Sequence, residues 1–451
     1  MTDTQQMQAY LTDRRKRLTG KAQAVVAPGS TEEVARIVRL CNQYAVPLVP
    51  QGGNTGLVLG SVPDLSGNAI VLSLKRMNAI RALDADNNTV TAEAGCVLDD
   101  VHAAARKANR LLPLLLPSSG QCTIGGNLSV NAGGTTVLRY GTVRKLCLGL
   151  EVVTAEGAVW DGLQTLYKDN SGYDLRDLFI GAEGTLGVIT AAVLGLYPLP
   201  REQHTLLVAV DTPEAALALL ARFRQHYVSS LTTFELISRH ALALVATHFP
   251  SLPLPLPLRY AQYALIELSF TEPEAPNTDS LEALLQAERE KGVVRDAVVS
   301  QSPSQSRMMW QWRENISDAQ ALAGNNIKHD IAIPVASVPA FLAETDTLLQ
   351  ARFPACHIVM FGHLGDGSLH YNIGAPEGVP DEDFLAWQAD INQLVYDSVY
   401  RFSGTLSAEH GIGSMKTETL ARYKSPIALD LMRKIKAALD PHGIMNPGKI
   451  L

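Results

Sequence analysis

Two histidine–carboxylate clusters and two glycine-rich loops are the parts of this chain that can do chemistry. His363 and His370 flank Leu364-Gly365-Asp366-Gly367-Ser368-Leu369, with apolar residues before and after. The pattern predicts strand, glycine turn, strand, and a symmetric turn puts His363 opposite His370 at the hairpin neck. Directly opposed side chains have Cβ atoms about 4.5–5.5 Å apart. Two imidazoles so placed can meet one metal at about 2.0–2.1 Å each. The spacing is not a general zinc signature, and a polar pair that stabilises the turn accounts for it equally well. Glu409 and His410 stand in Ser407-Ala408-Glu409-His410-Gly411-Ile412-Gly413. A carboxylate beside a histidine, followed by two glycines, is not a surface-helix pattern. Glu409 would complete a His₂Glu set that leaves positions open for a substrate. Adjacent residues cannot easily aim at one point, which divides the work into Glu409 as ligand and His410 as base.

The first glycine loop is Gln51-Gly52-Gly53-Asn54-Thr55-Gly56, after a short apolar run. Glycine allows successive backbone N–H groups to turn to one concave side, and such a nest suits a pyrophosphate. The second is Ser118-Ser119-Gly120-Gln121-Cys122-Thr123-Ile124-Gly125-Gly126-Asn127, continuing to Asn131-Ala132-Gly133-Gly134. With Gly181-Ala182-Glu183-Gly184-Thr185-Leu186-Gly187, these loops predict a chain wrapped around one extended polar cofactor. No G-x-G-x-x-G opens a helix after the first strand, so a Rossmann dinucleotide site is unsupported. Residues 443–449 match G-x₄-G-K, but Ile450 replaces the Mg²⁺-binding hydroxyl and no helix can follow, so this is not a nucleotide P-loop.

The elements that must position these groups follow from periodicity. Ser30 predicts a helix N-cap, with Glu33 as its capping-box partner, and apolar residues 34, 37, 38 and 41 recur at helical spacing. Strands are predicted at 48–50, 69–74, 89–94, 150–155 and 186–196, with a hairpin turn at 155–157. Composition changes after Pro200, and helix patterns at 214–227 and 280–292 alternate with strands at 205–210 and 264–270. A boundary near 200 divides the 451 residues into 1–200, 201–420 and a helical tail, 421–451. A formal charge of −7 argues against nucleic-acid binding, which needs a basic surface. Five scattered cysteines without C-x-x-C argue against a disulfide framework and fit a reducing, cytoplasmic compartment. No segment approaches 18 apolar residues, so nothing is expected to span a membrane. The Arg14-Arg15-Lys16-Arg17 run reads as a solvated helix end, or as a weak peripheral membrane contact.

Pro50-Gln51-Gly52-Gly53-Asn54-Thr55-Gly56, Ile124-Gly125-Gly126-Asn127, Tyr140-Gly141-Thr142-Val143 and residues 181–189 closely resemble the FAD-binding domain of the vanillyl-alcohol oxidase/p-cresol methylhydroxylase superfamily. Within it the chain resembles the D-2-hydroxy-acid dehydrogenase branch, which contains D-2-hydroxyglutarate, D-lactate and glycolate dehydrogenases. The resemblance runs from about residue 21 to the C-terminus. It implies an α+β fold: a two-subdomain FAD-binding domain, then an α+β substrate (cap) domain, then a short helical segment returning to the FAD domain. It implies FAD contacts at residues 50–56, Pro117, Ser118, Gly120, Thr123, Gly125, Gly126, Asn127, Gly133, Gly134, Tyr140, Gly141, Glu183, Gly184, Gly187, Ile189 and Asn446. Some superfamily members attach the flavin through a histidine in the first loop. None occurs at 50–60 here, which favours non-covalent FAD.

Gly362-His363-Leu364-Gly365-Asp366-Gly367 with His370, and Ala408-Glu409-His410-Gly411, resemble the branch's metal and base motifs. Carried over, His363, His370 and Glu409 bind a divalent metal, usually zinc, and His410 is the base. Arg313 and Lys328 by themselves read as solvated or ion-paired cations. The resemblance places both at the substrate, with Asn372, His410 and Ser317, where relatives commonly carry threonine. Two cations and a metal favour a small anionic substrate, and arginine's fork suits a carboxylate. The implied reaction is dehydrogenation of a D-2-hydroxy acid, foremost D-2-hydroxyglutarate to 2-oxoglutarate. Hydride leaves C2 for flavin N5 while His410 takes the hydroxyl proton. D-lactate and glycolate are the competing substrates. A flavoprotein subunit of a larger electron-transfer complex and a metal-dependent hydrolase without flavin are the competing classes. The acceptor would be an electron-transfer flavoprotein, a quinone or a cytochrome, and the assembly a homodimer.

Overall fold

A computed structural model describes residues 1–271 and 278–451. Two compact units divide the chain: one holds Met1–Gly134, Tyr140–Leu199 and Glu409–Leu451, the other Thr135–Arg139 and Pro200–Ala408. Glu409 and His410, which the sequence reading set in the middle segment, thus belong to the first unit.

The first unit is built on two sheets. In the smaller, Ala24–Val26, Ile70–Ser73 and Leu48–Gln51 run parallel in that order. Helix Thr31–Gln43 makes the crossover from the first of these strands to Leu48–Gln51, which parallel strands of one sheet require. Its Ser30 cap accepts from the Glu33 N–H at 3.3 Å. The Glu33 carboxylate reaches back to the N–H of Gly29, at 2.7 Å, one residue short of the expected box partner. The larger sheet is antiparallel in the order Ile80–Asp84, Thr89–Glu93, Gly187–Gly195, Cys147–Thr154, Val159–Gly162. Gly187–Gly195 is buried at every position, which is why its sequence shows an apolar run rather than alternation. The 155–157 turn joins the last two strands.

Residues 124–127 depart from the loop expectation. Ile124–Ser129 is a short helix containing Gly125 and Gly126. A Cβ on Gly125 would stand 2.6 Å from the Ala94 Cβ, so glycine here serves close packing of this turn on its neighbour.

The tail closes the first unit. Helix Pro426–Leu439 carries Lys436, whose Nζ donates to the carbonyls of Thr185 and Met445 at 2.7 and 2.8 Å. The buried carboxylate of Asp440 accepts from the N–H groups of Ile444 and Met445. Residues 444–446 then run beside Leu48 as a further short bridge.

The second unit is one eight-stranded antiparallel sheet. Its order is Asp296–Val299, Glu202–Val210, Gln262–Phe270, Leu231–Ser238, His357–His363, Ser368–Gly374, Asn326–Ile327, and Asp330–Ala332 also pairs with Ser368–Gly374. Helices Arg239–His248, Pro303–Glu314 and Ile316–Ala323 cover one face, packing Met309, Trp312 and Ile316 on Ile237, Val359 and Phe361. Burying each such side chain contributes about 1.5–3 kcal/mol. Among the described residues no helix is long and apolar enough to cross a membrane.

Candidate active site

In the first unit the glycine loops meet face to face. A Cβ on Gly52 would stand 2.2 Å from the Thr123 Oγ1, and one on Gly53 would stand 2.1 Å from the Gln121 carbonyl oxygen. Only glycine permits that approach. The loops open on a cleft lined by residues 50–56, Thr123, Gly125–Asn127, Glu183, Gly184, Gly187–Ile189 and His410.

The polar side chains here divide into two groups. Some hold the loop: the Gln51 amide donates to the Tyr10 and Ser61 carbonyls at 2.9 and 2.7 Å, and Asn54 donates to the Thr12 carbonyl while accepting from Ser61 Oγ at 2.8 Å. Others are buried and lack a partner among the described residues: Gln51 Oε1, Thr123 Oγ1 and Asn127 Nδ2. Buried polar atoms are ordinarily paired. Three such atoms on a cleft lined by glycine loops fit a long polar ligand of the FAD kind, with a hydroxyl, an amide oxygen and an amide nitrogen ready to bind it.

Two residues carried over as FAD contacts also bond to the backbone around the cleft. The carboxylate of Glu183 accepts from the N–H groups of Ile412 and Gly413, each at 2.7 Å. Burial pushes its pKa up, and these two donors do not cancel that. The Asn446 amide donates to the Gly60 and Glu183 carbonyls, at 2.9 and 2.7 Å. Together they lock the turn that follows His410. Gly411 and Gly413 sit at φ +83° and +53°, and a Cβ on Gly413 would stand 1.8 Å from the Val58 carbonyl oxygen. Pro117, Ser118, Gly120, Gly133, Gly134, Tyr140, Gly141 and Asn446 are not among the residues lining the cleft. Gly134 packs on the Leu115 backbone, and Tyr140 meets Tyr197 edge-on with ring centres 4.7 Å apart.

In the second unit the histidine hairpin takes a different register from the symmetric one expected. His363 pairs with Ser368, and His370 pairs with Phe361. The turn is four residues, 364–367, with Gly367 at φ +84° letting the chain reverse two residues earlier. His363 and His370 are therefore diagonal on one face, with ring centres 6.5 Å apart. Two imidazoles sharing an ion at 2.0–2.1 Å would have ring centres about 5 Å apart, so the pair must close slightly to do so. Asp330 pairs with His370 from the next strand and is buried, and Ser407 Oγ lies 3.4 Å from its carboxylate.

Glu235 is the residue the sequence reading missed. It lies in Leu231–Ser238, fully buried, directly across from His363. Its carboxylate accepts from His363 Nδ1 and, at 2.5 Å, from Arg313 Nε. Burial alone would raise its pKa, but the charges of Arg313 and His363 outweigh that and hold it down to about 2. A lone carboxylate in an apolar strand was the available signal, since burying a charge demands partners. With Nδ1 engaged by a carboxylate, His363 would meet a metal through Nε2, an arrangement that fits a ligand histidine.

Arg313 is thus held by Glu235, with its guanidinium over the Phe361 ring at 4.7 Å. Asn372 is buried, donating to Gln320 Oε1 at 3.0 Å and accepting from the His329 N–H at 3.1 Å. His329 is a core residue bound to the Tyr371 carbonyl and to Asn392. Ser317 is exposed on helix Ile316–Ala323, and Lys328 is half-buried between two strands.

Residues 22–162 match the family described as FAD binding domain, and residues 199–450 match FAD linked oxidases, C-terminal domain. The chain is 38% identical to a D-2-hydroxyglutarate dehydrogenase of Xanthomonas citri pv. viticola, covering 100% of this chain and 93% of that protein. It is 36% identical to the mitochondrial D-2-hydroxyglutarate dehydrogenase of Bos taurus, covering 100% and 81%. Among solved structures, p-cresol methylhydroxylase with substrate bound aligns at TM-score 0.77 and 18% identity, covering 100% of this chain and 93% of that one, a likeness of fold alone.

Proposed function

The chain belongs to the FAD linked oxidases and, within them, to the family of the D-2-hydroxyglutarate dehydrogenases, and from that premise we propose that it oxidises D-2-hydroxyglutarate to 2-oxoglutarate. The observation that carries the reading is His410 on the wall of the cleft formed by the FAD-type loops. A base and a flavin-binding surface in one cavity are what removal of a proton and a hydride from one carbinol requires.

Bound FAD would supply the two-electron oxidant, and a divalent metal, zinc in this reading, would supply Lewis-acid chemistry. Backbone N–H groups of residues 51–56, with Thr123 and Asn127, hold FAD non-covalently. His363, His370 and Glu409 would hold the metal. Arg313 and Lys328 bind carboxylate, with Ser317 and Asn372 beside them. His410 takes the hydroxyl proton as the C2–H bond breaks. The electrons pass on to an electron-transfer flavoprotein, a quinone or a cytochrome, from a homodimer in the cytoplasm.

Anaerobic mixing of the purified protein with D-2-hydroxyglutarate, D-malate, D-lactate and glycolate tests this. Bleaching of the flavin should be fastest with D-2-hydroxyglutarate. Faster bleaching by D-lactate or glycolate would overturn the substrate assignment, and no bleaching by any of the four would overturn the reaction.

A further inference from the structure

We propose that Glu235 is a positioning residue that holds the His363 ring and the Arg313 guanidinium in one fixed geometry, coupling metal affinity to carboxylate binding. The inference rests on the reading of His363 as a metal ligand and Arg313 as a carboxylate clamp.

Three observations carry it. Glu235 is the fully buried carboxylate of a strand otherwise made of leucine, isoleucine, phenylalanine, threonine and a terminal serine. A carboxylate cut off from water needs compensation, and here its two oxygens go to two different groups, Oε1 to His363 Nδ1 and Oε2 to Arg313 Nε. Second, the pairing is built into the sheet. Glu235 and His363 are register partners on adjacent strands, so the contact follows from backbone pairing rather than from the rotamer of a long side chain. Third, Arg313 also lies over the Phe361 ring, and Phe361 precedes His363 by two residues on the same face. One strand thus presents both the ring that carries the ligand nitrogen and the ring that carries the guanidinium, and Glu235 ties the two.

The consequence for His363 is a fixed tautomer. Nδ1 donates to the carboxylate, so Nε2 is the nitrogen a metal meets, and the carboxylate raises its basicity. The consequence for Arg313 is orientation. Glu235 takes the Nε–H and leaves the fork of terminal nitrogens as the edge that meets a carboxylate.

The test is Glu235→Gln, which keeps the shape but turns an NH₂ toward one of the two donors. The purified apo-protein is titrated with Zn²⁺ against a chromophoric chelator, and KM and kcat for D-2-hydroxyglutarate are measured on the reloaded enzyme. We expect zinc affinity to fall by about 10–100-fold and KM to rise by at least about tenfold, since an oriented charged hydrogen bond is lost. Arg313→Met should raise KM to a similar degree and lower zinc affinity by less than Glu235→Gln does, because His363 keeps its carboxylate partner while that carboxylate loses its second one. His363→Ala keeps the two readings separable. If it retains zinc, the ligand assignment fails; if it loses zinc while Glu235→Gln binds zinc and substrate as the wild type does, the role of Glu235 fails. Should Glu235→Gln not fold, ¹⁵N-imidazole spectra of the wild-type protein decide, with His363 identified by its loss in the alanine variant. A proton held on Nδ1 supports the proposal, and a proton held on Nε2 with none on Nδ1 overturns it.

Discussion

Glu183→Gln is the perturbation that best tests how the fold aims His410. The carboxylate accepts two backbone N–H groups, from Ile412 and Gly413, both at 2.7 Å, two and three residues beyond His410. A hydrogen bond to a charged acceptor contributes about 1.5–3 kcal/mol. Glutamine keeps an oxygen for one donor and sets its own N–H₂ against the other, leaving a buried donor unpaired at a cost of about 1–3 kcal/mol. Against this, the substitution removes the penalty of burying a charge, the same penalty that raises the Glu183 pKa. The two partly offset, so the net loss of stability should be only about 1–2 kcal/mol. The larger effect should be local. Gly411 and Gly413 hold left-handed conformations that the carboxylate helps to retain, and a shift of about 1 Å in a catalytic group costs about 10²-fold in rate. The assay is anaerobic stopped-flow bleaching of the flavin by D-2-hydroxyglutarate, with FAD content measured on the same sample. We expect FAD content near that of the wild type and reduction about 10²-fold slower. Wild-type reduction with full FAD would refute the argument that this carboxylate holds the turn. Loss of activity in proportion to loss of FAD would return Glu183 to the role of a cofactor contact.

His410→Ala should keep FAD and zinc and still bind substrate, but reduce the flavin about 10²–10⁴-fold more slowly; loss of zinc on the same substitution would move His410 into the ligand set. Acid precipitation should release FAD into the supernatant, because residues 50–60 contain no histidine to tether it; yellow retained in the pellet would contradict this. Glu151→Gln should flatten the fall of stability in acid. Burial would raise the Glu151 pKa, but Arg81, Thr31 and Thr190 together hold it below the ordinary carboxylate value. Its stabilisation is therefore present above that ordinary value and lost as pH falls through the lowered one. Denaturation midpoints measured from neutral pH down to pH 3 check this, and parallel pH profiles for wild type and variant would refute it.

Much of this protein was legible without coordinates, because the features concerned are local. A glycine that must adopt positive φ or admit a neighbouring backbone shows itself by being glycine, so the 51–56 and 120–134 stretches and Gly411-Ile412-Gly413 could be read directly. The Ser30 cap and the fully buried strand at 187–195 follow from side-chain chemistry and hydropathy within a few residues. What tertiary structure decided depends on groups far apart in sequence. The register His363↔Ser368 hung on whether a six- or four-residue turn closes the hairpin, and strand periodicity is the same either way. Glu235, Arg313 and His363 meet because a strand, a helix and a second strand, each separated by 50 residues or more, share one face of a sheet. Glu183 and Asn446 carry residue types suited to a cofactor, yet their side chains serve the backbone of 412–413, 60 and 183. Composition indicates which groups can bond, but only packing allots each buried donor its acceptor, since in the interior every polar atom must find a partner and the nearest in space is seldom the nearest in sequence.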